Sequence, residues 1–416
     1  MKILANVARI LLGGVFIFSG FVKGVDPLGS TYKFLDYFTA FHLTSLSPAV
    51  FVLAILQNTG ETLIGIALVW RLRMKVAAWA ALLFMLFYTT LTFILALTNP
   101  VTDCGCFGDA LILTNWQTFF KNLVLMVLAI TVFIRRNKFL PVYRPAAEWL
   151  CVIAAAAVIT GISLYCYRHL PLFDFRPYSV GVNIPQNMTV PEGMPADEFE
   201  TTLYYEKDGV VKAFSEQDYP WNDSTWTWKD TRSVLLKKGY QPPIHDFSVV
   251  TAEHGADITE ELLSDESYTF LLVAYRLNES NRKALQQANE IAQFCRNNNY
   301  GFYCLTSSLQ DEIHSVKSQL GLSYEFCFTD AITLKTIIRA NPGLLLLKKG
   351  TILAKWHFND MPDAQELTGD LTGYALKKQS DTSDKRLFYL LLTLLVLARC
   401  ALFGFRKKRR HRFRNN

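Results

Sequence analysis

Charge is in short supply in this chain: of 416 residues only 19% are Asp, Glu, Lys or Arg, against 51% hydrophobic, a balance that soluble proteins of this length seldom show. The scarcity is uneven. Uncharged or nearly uncharged runs cover roughly residues 3–22, 48–70, 76–98, 116–134, 147–167 and 387–405. Each approaches the roughly 20 residues that cross a hydrocarbon core, which predicts six membrane-spanning helices. Three further absences narrow the function. No small-residue cleavage site follows the first run, which leads straight into "SGFVKGVDP", so it reads as a retained helix and not a removed signal peptide. No internal repeat and no broken helix with paired charges is visible, which argues against a transporter. The cations behind the net charge of +6 stand where topology needs them, which argues against a nucleic-acid partner.

Those cations set an expected orientation. Lys2 and Arg9, "RLRMK" at 71–75, "RRNK" at 135–138 with Arg144, and "RKKRRHRFR" at 406–414 fall in alternate connections. Placing all of them in the cytoplasm lets the helices alternate without conflict. Both termini then lie inside, the basic tail 406–416 touches anionic membrane lipid, and the loops around 23–47 and 99–115 and all of 168–386 lie outside.

The outer segment 168–386 reads as two parts. Residues 168–243 predict a small β-rich unit, in which "TTLYYEKDGVVKAF" (201–214) places two strands around the hairpin signal Asp208-Gly209. Residues 244–376 alternate strand and helix: "SYTFLLVAY", "NRKALQQANEIAQFCRNNN", "YGFYCLTS", a helix after Asp311, "YEFCFTD", "AITLKTIIRAN" and a terminal hairpin "GLLLLKKGTILAKW". That order predicts one α/β domain with a central sheet. It resembles the thioredoxin-like fold across roughly 244–370, with Pro342 in the place of that family's cis proline. The family's Cys-x-x-Cys is missing, because the first strand is followed by "RLNESN". A dithiol reaction needs a thiolate there, so the domain reads as a binding or docking module. Cys295, Cys304 and Cys327 fall on apolar faces and read as buried thiols, with a Cys295–Cys304 pairing left open.

The remaining signal is "TNPVTDCGCFGDALILTNW" (98–116), where Cys104 and Cys106 stand one glycine apart between two apolar runs. On an oxidising outer side such a pair can bridge only in a tight turn, which Gly105 permits. Redox exchange, a structural staple and a metal site with Asp103 and Asp109 are the alternatives, although one loop residue makes a weak staple. Asp103 and Asp109 oppose thiolate formation, whereas the start of the next helix favours it.

With these residues, "LLGGVFIFSGFVKGVDP" (11–27) resembles the opening helix of DoxX-like membrane proteins, and "NTGETLIGIAL" (58–68) with "DCGCFGD" (103–109) is similar to the MauE branch of that group, over roughly residues 1–135. The resemblance implies a four-helix membrane domain, a role in disulfide formation or maturation of exported proteins, quinone as a possible electron acceptor, and a bacterial inner membrane. The expected architecture is therefore an α-helical membrane protein, 1–135 plus helices at 147–167 and 387–405, carrying a periplasmic thioredoxin-like domain and a β-rich insert.

Glu61 sits near the middle of the second long run, where an ionisable group is costly unless paired or functional. Proton transfer, hydrogen bonding to a quinone, and a structural carboxyl are all open for it. Lys23 reads as snorkelling to the interface, His42 as a surface residue, and Cys166 as a helix-facing thiol or a resolving one. The two functional expectations are a membrane thiol oxidoreductase with Cys104, Cys106 and Glu61 as its site, serving an exported protein client or a thioredoxin-like partner, and a non-enzymatic assembly or binding factor.

Overall fold

The computed structural model describes residues 2–380 apart from 102, 140–142, 196–197, 238 and 368, with 389 and 393 alone beyond them. The expected sixth span at 387–405 and the basic tail lie outside the described residues. Among the described residues, five helices are long and apolar enough to cross a membrane, over Ile3–Val25, Thr44–Trp70, Met74–Thr98, Asn115–Ile134 and Pro145–Arg168. They belong to α1 (Lys2–Val25), α3 (Val50–Trp70, preceded by a 3-10 turn Thr44–Ala49), α4 (Met74–Thr98), α5 (Asn115–Ile134) and α6 (Pro145–Arg168). The protein is a multi-pass membrane protein. Many of its large apolar side chains, such as Leu83, Phe87, Val124 and Ile153, are exposed on the bundle surface, as expected where the solvent is lipid.

The connection between the first two long helices differs from the sequence expectation of a loop, because residues Pro27–Ala40 form α2. Asp26 accepts from the Gly29 amide at 2.9 Å and Pro27 opens the first turn, the sequence signature of a helix start. Helix α2 stands at the end of the bundle that also carries residues 99–114, here called the loop end. Basic residues Arg71, Arg73, Arg135, Arg136 and Arg144 mark the opposite end.

Close approach of α1 to α3 holds the bundle together. A Cβ on Gly13 would lie 2.9 Å from the Gly65 carbonyl, one on Gly65 would lie 2.7 Å from the Gly13 carbonyl, and one on Gly20 would meet Thr62 Oγ1 and the Asn58 carbonyl. Small residues let two backbones meet and gain dispersion contacts that lipid cannot supply.

Beyond α6, α7 (Ile184–Met188) leads to a three-stranded antiparallel sheet of β1 (Glu198–Lys207), β2 (Val210–Ser215) and β3 (Thr227–Lys237), in the order β2-β1-β3. The β1–β2 turn uses Asp208 and Gly209 at φ 51° and 78°, the left-handed pair that a two-residue hairpin needs. A mixed α/β domain follows with β4 (Val250–Thr251), α8 (Thr259–Ser264), β5 (Tyr268–Val273), α9 (Arg282–Asn297), β6 (Gly301–Thr306), α10 (Gln310–Leu320), β7 (Glu325–Phe328), α11 (Ala331–Ile337), β8 (Gly343–Lys348), β9 (Thr351–His357) and α12 (Leu371–Ser380). Its sheet order is β4-β7-β6-β5-β8-β9, with β5, β6 and β7 parallel and β8 and β9 antiparallel. The Asn341–Pro342 bond ahead of β8 is cis. This is a thioredoxin-like arrangement. Phe270 and Leu272 pack with α9 on one face while Leu271 and Val273 pack with α11 on the other, so β5 is buried on both sides, as a central strand between helices must be.

Gly65→Leu is expected to wedge α1 from α3 and cost about 1–3 kcal/mol or more, whereas Gly14→Leu, with nothing within 4 Å of its Cβ position, leaves stability unchanged. Thermal unfolding in detergent, followed for both variants, checks the contrast.

Candidate functional site

Glu61 is 2% exposed in the middle of α3, and four side chains satisfy it. Lys23 Nζ donates to both carboxylate oxygens at 2.8 and 2.9 Å, Tyr88 donates at 2.6 Å and Gln57 at 3.1 Å. The Ser19 hydroxyl lies 2.7 Å from Glu61 Oε2 and 2.7 Å from the Cys106 carbonyl, donating to one at a time. Lys23, read from sequence as an interfacial lysine, is instead 7% exposed and ion-paired in the bundle. The physical reason is spacing: Ser19 and Lys23 are one turn apart on α1, so both face Glu61 on α3. A charge this deep persists only with a partner and filled hydrogen bonds.

The cysteine loop is built onto that cluster. Asn115 at the start of α5 donates to Asn99 Oδ1 and to the Val101 carbonyl, and Thr114 with Gln117 forms a capping box, which fixes where the chain re-enters the bundle. The Gly105 amide donates to Asp103 Oδ2 at 2.9 Å, and Gly105 at φ +64° turns the backbone through a conformation disfavoured for other residues. Tyr37 of α2 donates to the Cys104 carbonyl. The two sulfurs consequently sit 2.9 Å apart.

The two thiols are not equivalent. Cys106 is held at about 6, first by the hydrogen bond from Cys104, with burial opposing and the charges of Lys121 and Lys23 assisting. Cys104 is pushed well above the ordinary thiol range by that same shared proton and by burial. The carboxylates expected to oppose a thiolate are neutralised: Asp103 pairs with Lys33, and Asp109 with Arg339 at 2.8 Å. The pair can therefore exist as one thiol and one thiolate near neutral pH.

Two spaces reach the sulfurs. A void of about 40 Å³ lies among Cys106, Ser19, Glu61 and Lys121, room for a water. A larger cavity of about 540 Å³ runs from Cys104 and Cys106 past Gln57 and Tyr88 to Phe34, Phe38 and Phe87. Its outer wall includes Leu83 and Phe87, 56% and 64% exposed on the bundle surface, so it borders the lipid.

Of the other residues singled out by sequence, His42 is exposed in the 26–49 connection, and Cys166 is buried at the loop end of α6. Cys295, Cys304 and Cys327 are buried and unbridged, with burial pushing Cys295 and Cys327 up to about 12, which makes them inert. Sequence reasoning passed over Gln57, Tyr88 and Lys121, gave Ser19 no role in the site, and assigned Lys23 to the interface. The available signal was the pair of opposite charges on two different apolar helices, Lys23 and Glu61.

This geometry belongs to a multi-pass membrane protein whose buried ionic cluster carries a dithiol loop beneath a thioredoxin-like domain. Residues 1–135 match the family described as methylamine utilisation protein MauE, and residues 199–238 match a domain of unknown function, DUF8463. No curated protein matches the chain. Two solved structures show local similarity at a TM-score of 0.23 each. One is an uncharacterised conserved protein from Geobacillus kaustophilus, at 10% identity over 26% of this chain and 64% of that one. The other is a candidate protein disulfide isomerase from Bacteroides thetaiotaomicron, at 12% identity over 33% of this chain and 84% of that one.

Alkylation of the reduced chain by iodoacetamide, mapped by mass spectrometry, is expected to show Cys106 reacting with a midpoint near pH 6 and Cys104 remaining slow to pH 9. A Cys106 midpoint above pH 8 contradicts the assigned proton sharing.

Proposed function

We propose that this chain is a membrane thiol–disulfide redox protein that supports disulfide formation or maturation of exported proteins, with Cys104 and Cys106 as the exchanging pair. The observation that carries the reading is two free thiols with sulfurs 2.9 Å apart, held in a tight turn above a buried Lys23–Glu61 pair. Basic residues at the end opposite the loop end favour an orientation with the cysteines and the α/β domain on the oxidising, periplasmic side of a bacterial inner membrane.

In the oxidised chain a client thiolate attacks Cys104 and the Cys104–Cys106 bond breaks. Cys106 leaves as a thiolate, the better leaving group because of its low pKa. A second client thiolate attacks the mixed disulfide, releasing the client disulfide and the Cys104 thiol. The client passes two electrons to the pair; of the two protons its thiols give up, one ends on Cys104 and the other goes to water, because Cys106 stays a thiolate. A membrane quinone would take the two electrons, with the Cys104 proton and one from water, becoming a quinol and restoring the Cys104–Cys106 bond. The aromatic cavity fits such an acceptor: its apolar part borders lipid, and the polar side chains of Gln57, Tyr88 and Lys23 line it beside the sulfurs. Glu61 and Ser19 are placed to hold or pass the protons. In this scheme Glu61 positions Lys23 and the loop, and the thioredoxin-like domain serves as docking module.

One observation favours a second reading, a non-enzymatic assembly or binding factor. The segment between β5 and α9, where a dithiol would stand in the α/β domain, carries Arg276, Asn278 and Ser280 and no cysteine. Replacing both Cys104 and Cys106 with Ser separates the two readings: exchange requires that maturation of exported disulfide proteins be lost, whereas an assembly factor keeps its effect. The redox state of the pair in acid-quenched cells is expected to shift from mostly oxidised to reduced when quinone is depleted. A state indifferent to quinone removes the acceptor from the scheme.

A further inference from the structure

The thioredoxin-like domain touches the dithiol loop through a compact polar contact. Arg339, 6% exposed and three residues before Pro342, donates from Nε to both Asp26 oxygens at 3.0 and 2.9 Å and from Nη2 to Asp109 at 2.8 Å. Its guanidinium also lies 5.4 Å from the centre of the Tyr32 ring. The Tyr32 hydroxyl meets that of Tyr275, which follows β5, at 3.3 Å. Gly29 leaves the space open, since a Cβ there would come within 3.0 Å of Arg339 Nη2. Asp109 ends the Cys-Gly-Cys-Phe-Gly-Asp element, and Asp26 joins α1 to α2, so one arginine from the α/β domain ties the cysteine loop to the α1–α2 connection.

Charge pairs and two tyrosines dominate this contact, in contrast to the apolar cores on either side. Polar contacts between domains are the kind that open and close, because separated charges regain water. The closed form still leaves a cleft of about 220 Å³ that runs between Asp36, Lys335 and Arg176 to Gly105, the residue between the two cysteines. That space admits a small molecule and excludes a folded protein.

We propose that Arg339 is a releasable latch that makes access to Cys104 and Cys106 size-selective. With the latch closed, small thiols or disulfides reach the pair through the cleft. With the latch open, the α/β domain moves aside and a protein thiol can dock on the loop. The inference rests on the exchange reading for its purpose, but its test does not, because alkylation of a chemically reduced pair needs no redox turnover.

The experiment uses the full chain in lipid nanodiscs, reduced and then treated with either N-ethylmaleimide or a maleimide on a protein-sized polymer, with modified cysteines identified by mass spectrometry. Arg339→Ala is expected to raise the polymer reaction at Cys104 and Cys106 at least tenfold, while N-ethylmaleimide changes by less than threefold. Asp109→Asn, which removes the charge from the other side of the same contact, is expected to act in the same direction should Arg339→Ala fold poorly. A polymer rate unchanged in both folded variants overturns the latch, as does an equal rise for both reagents, which would mean general loosening. A pair that alkylates as expected but never exchanges with a disulfide probe refutes the exchange reading and leaves the latch standing.

Discussion

A carboxylate in the middle of a membrane helix is the constraint on which the rest depends. Ionised Glu61 is tolerable only because Lys23 neutralises it and Ser19, Gln57 and Tyr88 complete its hydrogen bonds. Those partners come from α1, α3 and α4, so satisfying the charge fixes how three helices meet. Glycines 13, 20 and 65 supply the close approach that lets Lys23 and Ser19 reach it. Ser19 then offers its hydroxyl to the Cys106 carbonyl, and the position of the dithiol loop is inherited from the ion pair beneath it.

The two cysteines are chemically distinct chiefly through the proton they share. It stays on Cys104, and that hydrogen bond, assisted by the charges of Lys121 and Lys23, favours negative charge on Cys106. Around them the carboxylates of the loop are each matched by a cation, Asp103 by Lys33 and Asp109 by Arg339. The loop thereby has a lipid-side cavity below and a polar cleft above, with the sulfurs between. A pair meant only as a staple gains nothing from such asymmetry, whereas a pair that must release one sulfur as a thiolate does.

Much of the fold was legible because its signals are local. Five described spans follow from uncharged runs alone, the Asp208-Gly209 hairpin from two residues, and the strand and helix order of the thioredoxin-like domain from changes in periodicity between "SYTFLLVAY" and "GLLLLKKGTILAKW". Helix α2 was missed because its apolar pattern is weak and its start signal, Asp26-Pro27, fell within the stretch 23–47 read as a loop. In the site, the cysteines and Glu61 stand out by residue type. Their partners do not, since Lys23 resembles any interfacial lysine until α3 is laid beside α1. Arg339 lies 230 residues from Asp109, a separation over which no spacing rule operates.

The central claim is that Cys104 and Cys106 form an exchanging couple and not a fixed bridge. Their reduction potential tests it most directly, by equilibrating the full chain in nanodiscs with thiol–disulfide buffers, quenching in acid and quantifying the oxidised fraction by mass spectrometry. The account predicts a two-electron midpoint more oxidising than about −250 mV, within the range of exchange couples. A pair that stays bridged in buffers more reducing than about −300 mV, where structural disulfides lie, would contradict it.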